Sequence, residues 1–147
     1  MDRKSDNRVF VVSLGSGAMI PGQAYSWIDV VSQDKCYFHP VGNGNPVEPP
    51  NYVGFRYRGE LLSVHHVDSF EIVDNLAAYN PLWPSTTVDH FVYSLGPAMK
   101  PARPLTTGNG IHRAARVWCA IDTLLSGEFD TISDARDEST RRLDAEL

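Results

Sequence analysis

The sequence lacks the features that mark a secreted, membrane-spanning or zinc-binding protein. Its two cysteines, Cys36 and Cys119, lie far apart and match no zinc or redox spacing. The charged N-terminus contains no apolar stretch of signal-peptide length, and no segment approaches a membrane-spanning run of apolar residues. We therefore expect a cytoplasmic protein with two buried thiols, no metal and no contact with a membrane.

Standard catalytic and cofactor motifs are also missing. Gly15-Ser16-Gly17 follows a strand pattern, but it is not a G-x-S-x-G nucleophile elbow. Gly108-Asn109-Gly110 is not followed by the Gly-Lys-Ser/Thr that completes a phosphate-binding loop, and the chain has no HEXXH, EF-hand or Rossmann pattern. These absences favour a non-enzymatic module without a cofactor.

Acidic residues are missing between His90 and Ile121, where four basic residues fall. Residues 1–121 carry ten acidic and ten basic side chains, whereas residues 122–147 carry eight acidic and three basic ones. The C-terminal stretch therefore supplies the whole net charge of −5. A possible role for this acidic end is contact with a protein partner.

The hydrophobic pattern predicts an α+β fold with a small, mostly antiparallel sheet and flanking helices, and the family resemblance described below implies that this sheet is curved or forms a partly open barrel. We expect one domain over residues 1–147, because this length suits a single core. The predicted strands, read from β-branched and alternating runs, are Arg8–Leu14, Cys36–Val41, Tyr52–Arg58, Leu61–Val73 and Asp89–Gly96.

Three helices flank the predicted sheet. The first has an apolar face from Ala24 to Val31, and the second runs from Ile111 to Ser126 with apolar residues at helical spacing. The last helix is predicted to begin at Thr131. It makes residues 128–147 a polar, acidic, helical C-terminus, and this composition is compatible with a loose attachment to the domain. Long loops over residues 74–88 and 97–110 separate the later elements, and persistent long loops are often functional.

The centre of the chain is predicted to be a β-hairpin with a tight turn at Arg58-Gly59-Glu60. In its second strand the even positions from Leu62 to Ile72 form an apolar face that one polar pair, His66 and Asp68, interrupts. A bulge near His65-His66 is a second explanation of that interruption. Phe70, Trp27, Trp118, Phe55 and Phe91 are expected in the core.

His66 and Asp68 are the candidate catalytic residues, with His90 or His112 as possible partners. An aspartate beside a histidine can orient the imidazole for acid–base chemistry, as a small nuclease or hydrolase would require. Such a pair is more often a structural hydrogen bond. Adjacent histidines on a strand point to opposite faces, so His65 and His66 do not suggest a metal site.

The basic segment is the candidate for a phosphate site. Lys100 and Arg103 lie in the second long loop, and Arg113 and Arg116 would share one face of the helix predicted to start near Ile111. Free backbone N–H groups at such a helix start favour an anion. The alternative is a solvated, basic helix face.

Aromatic residues beside arginines suggest a surface for a nucleobase. Tyr52 is expected to share a strand face with Arg56 and Arg58, and Trp83 could add a planar group from the first long loop. For Tyr52, core packing is an equally good interpretation. Tyr37 and Tyr79 are further candidates for stacking.

Residues 51–73 resemble the central hairpin of PUA-like domains, the group that includes the EVE and ASCH families. The likeness lies in a strand ending FRYRG, a glycine turn, and a following strand that finishes VDSFEI. The resemblance implies a small curved sheet or barrel with short helices, and binding of RNA or of modified nucleobases in a cleft beside the sheet. It assigns no individual base-contacting residue.

These observations predict a non-catalytic binding module for a nucleic acid or a nucleotide-like ligand, a class that includes ligands with a modified base. The ligand-binding residues would be Tyr52, Arg56, Arg58, Trp83, Lys100, Arg103, Arg113 and Arg116. The alternatives are the small nuclease or hydrolase and an interaction subunit without a small ligand. The binding hypothesis requires the arginines of the hairpin and the basic segment to meet at one surface.

Overall fold

The computed structural model describes residues 7–112 and 115–146, with six strands and four helices among them. In chain order the strands are β1 Arg8–Ser13, β2 Cys36–Pro40, β3 Tyr52–Tyr57, β4 Glu60–Val73, β5 His90–Leu95 and β6 Val117–Ala120. The helices are α1 Trp27–Ser32, α2 Leu76–Tyr79, α3 Ile121–Leu125 and α4 Ile132–Glu146. The α+β prediction is confirmed.

The chain forms two compact units. Unit 1 consists of Met1–Leu14, Pro50–His66 and Pro97–Leu147, and unit 2 consists of Gly15–Pro49 and Val67–Gly96. Each unit is therefore assembled from separate stretches of the sequence. Strand β4 contributes its first part to unit 1 and its second part to unit 2, and the expectation of one domain over 1–147 stays a prediction.

Unit 1 contains a mixed sheet in the order β6-β1-β3-β4. β1 is parallel to β3, with Val9 opposite Tyr52, and the other two pairings are antiparallel. Alternating strands bring apolar side chains onto a core with α3 and α4, where Val9, Val64 and Ile132 are fully buried. A parallel pair needs a long connection between its strands, and residues 15–49 provide it.

The predicted hairpin is confirmed as β3 and the first part of β4. Arg58 and Gly59 both have positive φ angles, 53° and 83°, which is the backbone of the two-residue turns that match the twist of paired strands. The predicted bulge near His65-His66 is wrong in position. Both residues pair regularly with β3, and the register shifts instead between Phe55 and Arg56 and between Val67 and Ser69.

Unit 2 contains the antiparallel order β4-β5-β2, in which Phe38 lies opposite Val92. The two short helices supply Val30 and Leu76 to a core that also contains Trp83. The loop predicted over residues 74–88 thus includes helix α2. Taken over both units, four of the five strand pairings are antiparallel.

The strands do not close into a barrel in the described part of the chain, because the two strands at the ends of the order, β6 and β2, each have one partner, β1 and β5. The sheet is therefore open, and the predicted barrel alternative is not what the structure has. None of the helices in residues 7–112 and 115–146 combines the length and the apolar character that a bilayer crossing requires.

The helix predicted over Ile111–Ser126 is wrong. Val117–Ala120 forms strand β6, which pairs with β1, and a short helix follows only from Ile121. The apolar residues of this segment fit a helical spacing, but a short apolar run fits a buried strand as well. The edge of β1 that faces away from β3 favours the strand, since pairing with this edge satisfies the backbone hydrogen-bonding groups of both β1 and β6.

The apolar face predicted for the even positions of β4 is also wrong beyond His66. Phe70 is 48% exposed and Ile72 is 59% exposed, although both were expected to be buried. The register shift between Val67 and Ser69 lies directly before them. A bulge changes the face to which the following side chains point, so the alternation of the first half does not carry over.

The C-terminal helix is confirmed, and several of its contacts hold it within unit 1. Ile132 and Ala135 are fully buried, and the Ser139 hydroxyl accepts a hydrogen bond of 2.8 Å from the Ala120 backbone N–H. The predicted Thr131 cap is present, because its Oγ1 accepts a hydrogen bond from the Asp134 N–H at 3.0 Å. The polar composition therefore describes only the outer face of α4.

A network of four charged side chains joins α3 to the end of α4. The Arg142 guanidinium donates two hydrogen bonds to the Asp122 carboxylate, at 2.8 and 2.9 Å, and a third to Glu138 at 2.8 Å. Arg141 also donates to Glu138 through two nitrogens, each at 2.8 Å. These bonds lower the pKa of Glu138 from its ordinary 4.5 to about 2, and Arg142 lowers the pKa of Asp122.

We predict that Gly108→Ala destabilises the protein more than Gly59→Ala. Both glycines have φ of 83°, a conformation that costs an alanine about 1 kcal/mol. A Cβ at Gly108 would lie 2.7 Å from the Thr131 Cβ, whereas one at Gly59 would meet nothing within 4 Å. Urea unfolding should show a further loss of roughly 1–3 kcal/mol for Gly108→Ala, and equal losses would contradict the packing.

We also predict that Glu138→Gln lowers stability at neutral pH but not in strong acid. A carboxylate with a depressed pKa stabilises the fold above pH 4.5, and that contribution is lost as the pH falls towards 2. The urea midpoints of the wild type and the variant should therefore converge over this range. Asp144→Asn is the control, since no described residue forms an ion pair with Asp144, and a pH-independent difference for Glu138→Gln would refute the prediction.

Candidate nucleic-acid interface

Arg56 lies in β3 and is only 3% exposed. The four positions before Tyr57 in β3 are all buried, so both faces of the strand are covered there and Arg56 is buried together with its neighbours. Its Nη2 donates hydrogen bonds to the backbone carbonyls of His112, at 3.1 Å, and of Ala115, at 2.7 Å. Burial lowers the pKa of the guanidinium.

The Arg56 bonds attach backbone that precedes β6 to strand β3. The carbonyls of His112 and Ala115, the described residues on either side of 113–114, are both bound by this one side chain. A ligand phosphate could use this guanidinium only by replacing those carbonyls. The predicted role of Arg56 as a ligand contact stays a prediction, and the structure shows a structural role for it.

Arg58 is exposed at the tip of the hairpin. Its guanidinium carbon lies 5.1 Å from the centroid of the Tyr57 ring, a cation–π distance. Within the described residues no carboxylate forms an ion pair with it. Arg58 therefore offers an accessible positive charge on a partly exposed aromatic side chain.

Lys100 and Arg103 differ in the partners that their charged groups have within the chain. The Lys100 side chain is exposed, and its Nζ donates to the Leu62 carbonyl at 3.2 Å. Arg103 instead pairs with Asp130 at 2.6 Å, and its Nε donates to the Gly127 carbonyl at 2.6 Å. Lys100 thus keeps donors for a ligand, whereas Arg103 is largely occupied.

The helix start that was expected to bind an anion does not exist, since residues 111 and 112 are not helical. Arg116 is exposed in the stretch before β6, and Arg113 lies outside the described residues. Gly108 instead packs against the first turn of α4. The N–H groups of Ile132 and Ser133 already donate to the carbonyls of residues 106 and 107, so that turn offers no anion site either.

Tyr52 and His66 form a cross-strand pair at the other end of the hairpin. Their rings meet edge to face with centroids 5.4 Å apart, and Tyr52 is half-buried against the core of unit 1. Packing is therefore the structural role of Tyr52. Its distance in the sequence from the turn also separates it from Arg58.

The proposed catalytic pair is divided between the two units, because His66 belongs to unit 1 and Asp68 to unit 2. The Asp68 carboxylate lies against Gly96, where an added Cβ would be 3.1 Å from its Oδ1. His90 is buried, with its Nδ1 2.8 Å from the Val88 carbonyl oxygen, and His112 is exposed. No group of three or more potential metal ligands occurs among the described residues.

Trp83 belongs to unit 2 and is 1% exposed. Its Nε1 donates to Asp34 at 2.9 Å, and the Tyr79 ring stacks on it with centroids 5.4 Å apart. The hydrogen bond and the burial give Trp83 a structural role in the core of unit 2. Tyr37, the other aromatic candidate, is 9% exposed in β2.

The two units differ sharply in charge, a difference that no single stretch of sequence displays. Unit 1 contains eleven acidic and twelve basic residues, and unit 2 contains seven acidic residues and one basic residue, Lys35. The net charges of +1 and −6 together give the −5 of the chain. The formal charge of unit 2 is therefore unfavourable for a polyanion, whereas that of unit 1 is close to zero.

Arg58, Lys100 and Arg116 are the exposed cations that the structure attaches to the turn end of the hairpin, and we call them the hairpin-end cations. Arg58 is in the turn, and Lys100 is held by the strand that follows it. Arg116 comes directly after Ala115, whose carbonyl is bound by Arg56 two residues before the turn. Glu60 is also exposed in the turn and reduces the local positive charge.

We predict that Arg56→Met destabilises the protein by about 3 kcal/mol, because the backbone carbonyls of His112 and Ala115 lose a charged donor while the volume of the side chain is largely kept. Arg58→Ala should change the free energy of unfolding by less than about 0.5 kcal/mol, since that side chain is exposed. Urea unfolding followed by circular dichroism measures both. A stable Arg56→Met protein would show that the guanidinium does not support the fold.

A comparison with known proteins found no matching family model, no matching curated sequence and no matching solved structure. The resemblance to PUA-like domains is therefore carried by residues 51–73 alone.

Proposed function

We propose that this protein is a binding module for nucleic acid, and that unit 1 makes the contacts through the hairpin-end cations. The observation that carries the proposal is the state of these three side chains. They are exposed, they form no ion pair with any described carboxylate, and they attach to one end of a hydrogen-bonded hairpin. Phosphates would supply most of the affinity, because they are the charged groups that such cations bind in solution.

The hairpin end offers a rigid support for these contacts. The loop over residues 97–110 is hydrogen-bonded along β4, with the N–H groups of Leu61 and Val64 donating to the carbonyls of Leu105 and Met99, each at 2.8 Å. Arg56 fixes the stretch that precedes Arg116. A preorganised set of cations loses less conformational entropy on binding than one on a free loop.

Tyr57 supplies the aromatic part of the site in place of Tyr52 and Trp83. Its ring is partly exposed, and Arg58 covers it at a cation–π distance. A base could stack on the guanidinium plane of Arg58 or displace it from the ring. This arrangement favours a single-stranded segment, whose bases are free to stack.

A PUA-like fold is the finer part of the proposal. The hairpin that carries the resemblance is the element that presents Tyr57 and Arg58, and the resemblance implies binding of RNA or modified nucleobases in a cleft beside the sheet. The small nuclease or hydrolase that would use His66 and Asp68 stays a prediction, and so does the interaction subunit. A partner for the acidic C-terminal end also stays a prediction, although Asp122 and Glu138 already bind arginines of the same chain.

We expect short labelled single-stranded RNA and DNA to bind with an affinity that falls as salt is added. Arg58→Ala, Lys100→Ala and Arg116→Ala should each weaken binding roughly fivefold at about 0.1 M salt, and each should reduce the slope of log K against log salt by about 0.7, the value for one phosphate contact. Fluorescence anisotropy over a series of salt concentrations measures both quantities.

Arg141→Ala is the matched control, because it removes a cation of unit 1 that is already paired with Glu138 on α4. Its affinity should stay close to that of the wild type. An equal loss in the control would mean that net charge alone determines binding. Unchanged binding in the triple variant of the hairpin-end cations would overturn the proposal.

A further inference from the structure

The second part of β4 exposes one edge of the unit 2 sheet. Residues Ser69–Val73 pair with β5 on one side. On the other side, no strand in the described part of unit 2 pairs with them, and Ser69 to Ile72 are all exposed. We call this stretch the open edge. Its unpaired backbone groups can accept a further strand.

Large apolar side chains accompany these backbone groups. Phe70 and Ile72 lie two residues apart on one face of β4, and they are 48% and 59% exposed. Phe70 packs edge to face on Phe91 with centroids 5.6 Å apart, so it is held in position and not free to fold away. Two exposed apolar residues at strand spacing are suited to cross-strand contacts with an added strand.

The charge around the open edge selects the kind of strand. Glu71 lies between Phe70 and Ile72 in the sequence, points to the opposite face of the strand and is exposed. Asp74, directly after the edge, is exposed as well. Unit 2 as a whole contains seven acidic residues and one basic residue. A second copy of this edge would bring like charges together, and a nucleic acid would be repelled as well.

We propose that the open edge receives an extended, basic segment of another protein as an additional β-strand. Apolar residues at alternate positions of that segment contact Phe70 and Ile72, and lysine or arginine residues between them face Glu71. The backbone hydrogen bonds supply part of the affinity, and the alternating side chains supply the specificity. Acidic side chains on an exposed edge also prevent self-association, which leaves the edge available to a basic partner.

The probe for this proposal is an acetylated, fluorescein-labelled peptide of alternating valine and lysine. It should bind the wild-type chain, and binding should weaken as salt is added. The same peptide with glutamate in place of lysine should not bind. A third peptide, N-methylated at every second amide, keeps the charge but loses the donors of one edge, and it should bind about tenfold or more weakly if a strand is added.

Substitutions on the protein locate the site. Ile72→Thr keeps a β-branched side chain on an exposed position and should weaken binding about fivefold. Glu71→Lys should weaken the valine–lysine peptide and improve the valine–glutamate peptide. Val88→Thr is the control, because Val88 is 56% exposed in unit 2 but lies outside β4, and it should bind like the wild type.

Hydrogen exchange and light scattering separate the remaining outcomes. Amides of Ser69–Val73 should exchange more slowly when the valine–lysine peptide is bound. Equal affinity for the N-methylated peptide, or unchanged binding in Ile72→Thr, would show electrostatic adhesion without an added strand and would overturn the proposal. A dimer of the free chain that Ile72→Thr disrupts would mean that a second copy occupies the edge, and this too would overturn it.

Discussion

The buried guanidinium of Arg56 is the constraint on which much of unit 1 depends. A buried guanidinium without hydrogen-bond acceptors would destabilise the fold strongly, because its charge loses the hydration it has in water. The chain therefore has to place carbonyl oxygens beside it. The carbonyls of His112 and Ala115 meet this need, and β6 begins at Val117. β6 then completes the sheet beside β1, and α3 and α4 cover the core that results.

Most strands could be predicted from the sequence because their signals are local. Alternation from Tyr52 to Tyr57, a glycine turn and a β-branched run define the hairpin without any tertiary information. The segment before Ser126 could not be assigned in this way, because its apolar residues fit both a helix and a strand. Only the free edge of β1 decides for a strand, and that edge is a property of the folded sheet.

The candidate site was predicted only in part, because the pairing of its charges, like the edge of β1, is a property of the folded chain. Sequence reasoning found that cations cluster near the hairpin and in the acid-free segment, but it could not show which charges are already used. Arg56 and Arg103 are bound to carbonyls and a carboxylate of the chain, whereas Arg58 and Lys100 remain accessible. The separation of charge between the units was also hidden, because each unit is assembled from stretches that are far apart in the sequence.

The division of β4 between the two units has a consequence for how this protein can change over time. Neither unit is encoded by one uninterrupted piece of the gene, so recombination cannot transfer one of them to another protein as a cassette. Any ancestor that gained or lost unit 2 would have had to insert or remove two separate stretches and still preserve the strand that both units use. A contiguous stretch that contains all of either unit therefore also contains part of the other.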